Sequence, residues 1–351
     1  MDYMACSADS HVLEPQDLWK DLPERLRARG PRTEVKDNRE LVFFDDQFIK
    51  RDPLDFTAAI RPPGANDPTA RIEDLEREGI WGEVLYPSMG LWIYLTADAE
   101  LAMACARIYN DWILDRFVKV SPRFVGVALL PLADVGDAVA ELDRAAGLGF
   151  RAVCLPCTPP GGLRYNDPAL DPLWSALAES DVRACFHVGT GDSPIVERAA
   201  GAAVINYVET FYPPQRAVSY LIAGGVLERF PTLHTVFVEG GASWLPALME
   251  RMDEGFKQHA MFVNPKLSML PSEYVVRQVH ATFQHDRALL STLDITGPGA
   301  VMWGSDYPHL EGTWPKSREV LDEIFAGTPD DVRRAVTHDN VANLFKIPEP
   351  V

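Results

Sequence analysis

Eight short apolar runs, each closed by turn residues, recur along the 351-residue chain, and they limit its fold more than any other feature. They occupy residues 4–8, 83–86, 124–130, 152–155, 184–188, 235–238, 281–283 and 300–303. Most are followed by a stretch of helical periodicity, at 99–117 (AELAMACARIYNDWILDRF), 137–147, 172–179, 215–229, 244–256 and 317–325. Runs that are apolar throughout, rather than at alternate positions, suit strands covered on both faces, as in a parallel sheet. Eight such strands alternating with helices predict an α/β chain folded as a (β/α)8 TIM barrel. The rival is a doubly wound open sheet, which needs a Gly-rich phosphate loop after an early strand, and the sequence has none. The whole of 1–351 is read as one barrel domain, interrupted by a long polar insertion at 13–80 with clustered prolines (RPPGANDP). Part of it, 40–49, suits a small hairpin. An insertion of that length is expected to cover the barrel mouth or an interface with another subunit of a homo-oligomer.

Charge and cysteine content narrow the partners. With 51 acidic and 33 basic residues, the net charge of −18 repels phosphate backbones and anionic lipid, so neither nucleic acid nor a membrane surface is an expected partner. No apolar run reaches membrane-spanning length. The opening residues, MDYMACSADSH, lack the basic region and apolar core of a signal peptide. Five cysteines, an odd number in a long chain, predict free thiols in a reducing, cytoplasmic compartment. Cys154 and Cys157 have redox-motif spacing, but they end an apolar strand with no helix start after them, which argues against a redox or thiolate-metal role.

The chemistry is concentrated where parallel strands end, because residues just past a strand's C-terminus face the active-site mouth. Asp9 and His11, in SADSHVLEP, stand at alternate positions of the first strand and so point to one side. His187 ends the fifth strand (CFHVGTG), Glu239 the sixth (FVEGGASW), and Asp306 follows the eighth, with His309 and Glu311 just beyond (WGSDYPHLEG). Buried carboxylates and imidazoles need partners, and like carboxylates meeting at one mouth need a cation between them. Asp9, His11, His187, Asp306, Glu239 and His309 are therefore the candidate metal ligands, for one divalent ion or two. Zinc is the first choice, manganese or iron the alternatives. Asp306, Glu239 and His309 are also the catalytic candidates: Asp306 is placed to accept a proton from metal-activated water and return it. His309 serves either as a ligand or as the group that holds Asp306. His285, in FQHD, reads as a hydrogen-bonded core histidine, and His234, His259, His280 and His338 as structural. Trp81, Trp92, Tyr94, Tyr212 and Trp314 lie near predicted mouth loops, where a small aromatic or apolar substrate is one use and ordinary packing the other. Trp314 is taken as substrate-binding, together with Arg61 and Arg164, whose Pro/Gly-rich loops suit two-pronged binding of a substrate carboxylate.

The stretches SADSHVLEP, RIEDLEREGIWGEVLYPS, YNDWILDRF, LDPLWSALAE, FHVGTG, FPTLHTVFVEGGASWLPALMERMDE, WGSDYPH and DNVANLF together resemble the amidohydrolase-related barrel family that includes aminocarboxymuconate semialdehyde decarboxylase and γ-resorcylate decarboxylase. They span nearly the whole chain in family order. The resemblance implies a divalent metal held by the first strand, His187 and Asp306. It implies a hydrolase or non-oxidative carboxy-lyase cleaving a C–N or C–C bond of a small molecule. Asp9 stands where relatives carry His or Glu. Glu239 stands where many carry a proton-transferring His, so here it either takes over that proton or binds a second ion. A dinuclear iron or manganese oxygenase on the same barrel is the alternative from a different reaction class, and a non-catalytic barrel subunit is the third.

Overall fold

The computed structural model describes residues 3–192 and 195–349. Eleven strands occur among them, in chain order β1 (Ala5–His11), β2 (Arg32–Lys36), β3 (Arg39–Phe44), β4 (Gln47–Pro53), β5 (Ile80–Tyr86), β6 (Phe124–Leu129), β7 (Ala152–Pro156), β8 (Arg183–His187), β9 (Thr235–Val238), β10 (Val279–Phe283) and β11 (Val301–Trp303). Eight of them, β1 and β5 to β11, form one parallel sheet in sequential order. These eight are buried almost throughout, which is why they read as mainly apolar runs. An isolated parallel bridge between Ser10 and Tyr307 joins the last strand's end to the first and curls the sheet into a (β/α)8 barrel.

That closure depends on close backbone approach and on hydroxyls. A Cβ at Gly304 would lie 2.5 Å from Asp9 Cβ, so only glycine lets the chain after β11 come this near β1. Ser305 N donates to Ser7 Oγ at 2.8 Å, and Asp306 N donates to the Asp9 carbonyl at 2.8 Å. The hydroxyls of Ser7, Ser10 and Ser305 lie 3.0–3.2 Å apart and satisfy one another in the closed seam.

The insertion after β1 forms the antiparallel sheet β2-β3-β4, a three-stranded meander where the sequence suggested a single hairpin. Its last stretch is a helix, Pro68–Glu78, that enters β5 as the other helices enter their strands. Asp67 caps this helix and Gly79 ends it in the left-handed region (φ 71°). The helix expected over 215–229 is broken: Tyr212–Ala223 stops at Gly224, and a short turn, Val226–Arg229, restarts after Gly225 (φ 72°). Two adjacent glycines outweigh the apolar periodicity there.

Arg71, from the helix Pro68–Glu78, ties the outer layer to the mouth. It is fully buried, grips Glu83 of β5 with two nitrogens at 2.6 and 3.0 Å, and gives a third to the His11 carbonyl at 3.0 Å. Its guanidinium carbon lies 3.8 Å from the Tyr307 ring centre. Breaking a buried pair leaves an uncompensated charge, so Arg71→Met is expected to cost about 3–5 kcal/mol of stability. Urea unfolding checks this. Arg71→Met combined with Glu83→Leu should recover much of the loss, and a single variant within about 0.5 kcal/mol of wild type would refute the assignment.

Candidate metal centre

Four strand ends place the cluster. His11 is the last residue of β1 and His187 the last of β8, and each ring is fixed through Nδ1. His11 Nδ1 lies 2.9 Å from the Pro87 carbonyl and His187 Nδ1 2.9 Å from the Val188 carbonyl. A carbonyl only accepts, so each Nδ1 carries the proton and each neutral ring leaves a bare lone pair on Nε2. Those two Nε2 atoms face each other at 3.2 Å. No proton lies between them, and two lone pairs at that distance call for a cation.

Carboxylates complete the ring of donors. Asp9 Oδ1 is 3.8 Å from both His11 Nε2 and His187 Nε2. Asp306 Oδ1 is 3.5 Å from His11 Nε2, and Glu239 Oε2 is 3.4 Å from His187 Nε2. Asp9 and Asp306 are fully buried, yet Asp9 Oδ1 and Asp306 Oδ2 have no hydrogen-bond partner. Orphaned buried oxygens beside bare imidazole nitrogens are what a divalent cation would satisfy. Asp9, His11 and His187 offer ligand atoms within 4.8 Å of one another, and so do His11, Asp306 and His309.

The backbone aims two of the carboxylates. Glu239 (φ 68°) and Asp306 (φ 53°) lie in the left-handed region that side chains other than glycine avoid. Each such residue costs on the order of 1 kcal/mol or more, and strain of this kind collects at functional sites. After β8, the Gly-Thr-Gly turn allows a close approach: a Cβ at Gly191 (φ 86°) would lie 1.8 Å from the Thr158 carbonyl oxygen.

Burial sets the electrostatics. It pushes the carboxyl groups of Asp9, Glu239 and Asp306 well above the ordinary range. Asp306 adds to this for Asp9 and Glu239, and Glu311 adds to it for Asp306. Burial also holds His11 well below the usual imidazole value and takes His187 down to about 4. Both histidines are therefore neutral at ordinary pH.

Above the cluster lies a cavity of about 270 Å³. Its floor is His11, His187, Glu239 and His309. Its walls include Trp92, Met89 and Leu91, and the insertion contributes Glu40, Val42, Lys50, Asp52, Phe56 and Arg61. Arg61 gives Nη2 to Glu40 at 2.6 Å.

Sequence reading and structure part company at several residues. Arg164, read as substrate-binding, packs over the Tyr220 ring at 5.9 Å and is not among the cavity-lining residues. Trp314 packs edge-on against Tyr307 at 5.0 Å, also away from the lining. Both positions were chosen for nearness to mouth loops in sequence, and tertiary packing turned the side chains elsewhere. Tyr94 is buried, with its hydroxyl given to the Cys154 carbonyl at 2.6 Å, and Trp81 bonds the Pro348 carbonyl. His285 sits 3.2 Å from the Gly312 carbonyl and joins none of the metal-competent groups. His309 stands where it can hold Asp306, one of its two expected roles, with Nδ1 3.0 Å from Asp306 Oδ1; its ring lies tilted against His11 at 4.2 Å between centres. All five cysteines are free and buried. Gln284, which donates Nε2 to Asp9 Oδ2 at 2.8 Å, was missed. It lies just past β10, in the position that marked the other site residues, but a search for ionisable side chains passes over an amide.

Comparisons with known proteins accord with this geometry. A family profile described as Amidohydrolase matches residues 86–347. The 2-amino-3-carboxymuconate-6-semialdehyde decarboxylase of Dictyostelium discoideum is 28% identical over 252 residues, covering 69% of this chain and 67% of that one. Among solved structures, an amidohydrolase from Mycobacterium avium subsp. paratuberculosis K-10 superposes with a TM-score of 0.83 at 22% identity, over 98% of this chain and 100% of its own. A 5-carboxyvanillate decarboxylase from Novosphingobium aromaticivorans, with bound manganese and 3-methoxy-4-hydroxy-5-nitrobenzoic acid, superposes with a TM-score of 0.71 at 18% identity, over 98% of this chain and 97% of its own. At these identities the two structures speak for the fold.

Proposed function

Because the chain belongs to the amidohydrolase family, we propose that it is a metal-dependent, non-oxidative decarboxylase of a small carboxylated aromatic compound. The observation that carries this reading is the pair of bare Nε2 atoms of His11 and His187, 3.2 Å apart beside orphaned carboxylate oxygens, beneath a small and largely apolar cavity. Asp9, His11, His187 and Asp306 would hold the ion. When bound, a divalent cation supplies Lewis acidity toward a substrate oxygen and lowers the pKa of bound water. Zinc suits two imidazoles with carboxylates; manganese, present in the Novosphingobium neighbour, is the alternative.

The protein's own groups then do the rest. The cavity sits below the size of a drug-sized pocket and takes one substituted ring, with Trp92 and Phe56 offering flat apolar contact. Asp306, with Oδ1 fixed by His309, takes the proton of the substrate's acid or hydroxyl group and delivers it to the ring carbon, whose bond to the carboxyl carbon breaks to release carbon dioxide. The insertion sheet contributes Glu40, Val42, Lys50 and Asp52 to the cavity wall, and a substrate held there displaces water, which strengthens the charge interactions around it. Arg61, steadied by Glu40, is the group for the substrate carboxylate. The reading includes self-association: the helix Ala202–Glu209 buries no side chain and exposes Val204, Ile205, Tyr207 and Val208. Buried free thiols fit a cytoplasmic setting. Among the described residues no helix is long and apolar enough to cross a membrane.

The test is carbon dioxide release from a panel of hydroxylated benzoates by the metal-loaded protein, abolished by chelation and restored by the ion. Hydrolysis of amide or ester analogues without any decarboxylation would overturn the reading. Arg61→Ala should raise KM about 10–100-fold, the worth of a hydrogen bond to a charged group, with kcat changed little. An unchanged KM would remove Arg61 from the substrate site.

A further inference from the structure

A second cavity, of about 450 Å³, adjoins the one above the metal cluster, and Tyr207, Thr210 and Glu239 line both. We propose that this second cavity is an aryl subsite, and that the substrate is a two-ring carboxylic acid, with one ring over the metal cluster and an uncharged ring beyond Glu239. The proposal rests on the decarboxylase reading for where the first ring sits. At about 270 Å³ the first cavity is smaller than most small-molecule sites, which run from roughly 300 to 1,000 Å³, and the two together fall inside that range.

The lining names the ligand class. Tyr207, Phe211, Tyr212 and Phe283 bring four aromatic rings to the second cavity. Tyr207 belongs to the last turn of the helix Ala202–Glu209, and Phe211 meets Tyr212 edge to face at 6.2 Å. Tyr207 and Tyr212 are 60% and 50% exposed. Aromatic side chains left in water around a concave surface gain contact when a flat apolar group enters. Tyr212 is one of the aromatic residues that the sequence places near the mouth, and the fold gives it this wall, whereas Trp81 and Tyr94 are bonded elsewhere.

The opposite wall is held in place. Asp286 Oδ2 accepts from Ala242 N at 2.9 Å and from Ser243 N at 2.8 Å, Trp244 Nε1 donates to the Gly241 carbonyl at 2.8 Å, and Glu239 N donates to Thr282 Oγ1 at 2.9 Å. These bonds tie the turn after β9 to the end of β10, so an arriving ring meets a preformed surface and little ordering opposes its binding. His285 also lines this cavity. Its Nε2 lies 3.2 Å from the Gly312 carbonyl, which only accepts, so Nε2 holds the proton and Nδ1 keeps a lone pair. A lining group with a lone pair suits a ring bearing a hydroxyl. The carboxylates of Glu239 and Asp286, both in the lining, oppose a second acid group on that ring.

The probes are 2-hydroxybenzoate and its 3-, 4- and 5-phenyl derivatives, titrated calorimetrically into Mn²⁺-loaded full-length protein. At least one phenyl derivative is expected to bind about tenfold or more tightly than 2-hydroxybenzoate, since burying a ring removes a large apolar area from water. Ser243→Trp, which fills the second cavity, should abolish that gain. Tyr212→Ala, at an exposed position where folding is not at stake, should cut it to about threefold or less. No gain from any phenyl group overturns the subsite, and so does a full gain retained in both variants, which would seat the ring elsewhere. The gain, lost in the variants but with no carbon dioxide released from any of the four compounds, supports the subsite and ends the decarboxylase reading. Carbon dioxide released from 2-hydroxybenzoate, with no gain from any phenyl group, overturns the subsite and leaves that reading standing.

Discussion

Replacing His187 by alanine is expected to leave a folded barrel that no longer holds its metal. The substitution removes one of the two bare Nε2 atoms that face each other at 3.2 Å, and among the described residues no other histidine groups with both Asp9 and His11. Loss of an outer partner of a metal ligand costs 10–100-fold in affinity, so loss of the ligand itself should exceed about 10²-fold. Turnover should fall by roughly 10³-fold or more, since the Lewis acidity supplied is worth several kcal/mol. Equilibrium dialysis with elemental analysis gives the first number, and steady-state kinetics on the responsive substrate gives the second. Circular dichroism separates metal loss from unfolding. Full occupancy and full turnover in His187→Ala would make His187 a core histidine bonded to the Val188 carbonyl and nothing more.

The second large effect has two signs. Asp306→Asn keeps an acceptor for His309 but cannot take up a proton, so kcat should drop by about 10² to 10⁴-fold. The same change should stabilise the metal-free protein. Burial, helped by Glu311, raises the Asp306 carboxyl well above its ordinary value of 3.8. The folded state then binds the proton more tightly than the unfolded one. Its contribution to stability is complete below the unfolded pKa and is lost as pH rises toward the folded pKa. Asparagine has no such loss. In the presence of chelator, Asp306→Asn should melt higher than wild type near pH 8, with the advantage shrinking as pH falls toward 4. Calorimetry across that range decides the matter. A variant that melts lower than wild type at pH 8, or a kcat within a few-fold of wild type, would show that Asp306 is neither an uncompensated buried charge nor the proton carrier. A residue that costs stability where it sits, in a left-handed backbone conformation and with an orphaned oxygen, is typical of a site kept for function.

Much of this was legible in the chain itself because burial leaves a local signature. All eight barrel strands are buried on both faces, so most of their residues are apolar and each was visible as a run, and the turn that closes each run marked where side chains enter the mouth. Asp9, His11, His187, Glu239, Asp306 and His309 were singled out by that rule, and the fold brings them together. The strand-end rule states where a residue lies, not which way its side chain turns. That is why Arg164 and Trp314 were misplaced: they sit on loops, and a loop side chain points wherever packing sends it, here onto Tyr220 and Tyr307. Gln284 and Arg71 act through partners 275 and 12 residues away, Asp9 and Glu83, so neither carries a nearby sequence signal that names its task.

By itself, then, the sequence determined the barrel and named the candidate donors, because apolar periodicity and strand-end position are properties of short segments. Only the tertiary structure decided that His11 and His187 present bare nitrogens to one another, because each tautomer is set by a carbonyl from outside its strand: Pro87 for one, Val188 for the other. It also decided that the insertion reaches the cavity above His11 and His187. A run of polar residues and prolines in sequence does not say which face of the barrel it crosses. The pairing of β2, β3 and β4 into one sheet does, by carrying Glu40, Lys50 and Asp52, with Arg61 beyond them, to the wall of that cavity.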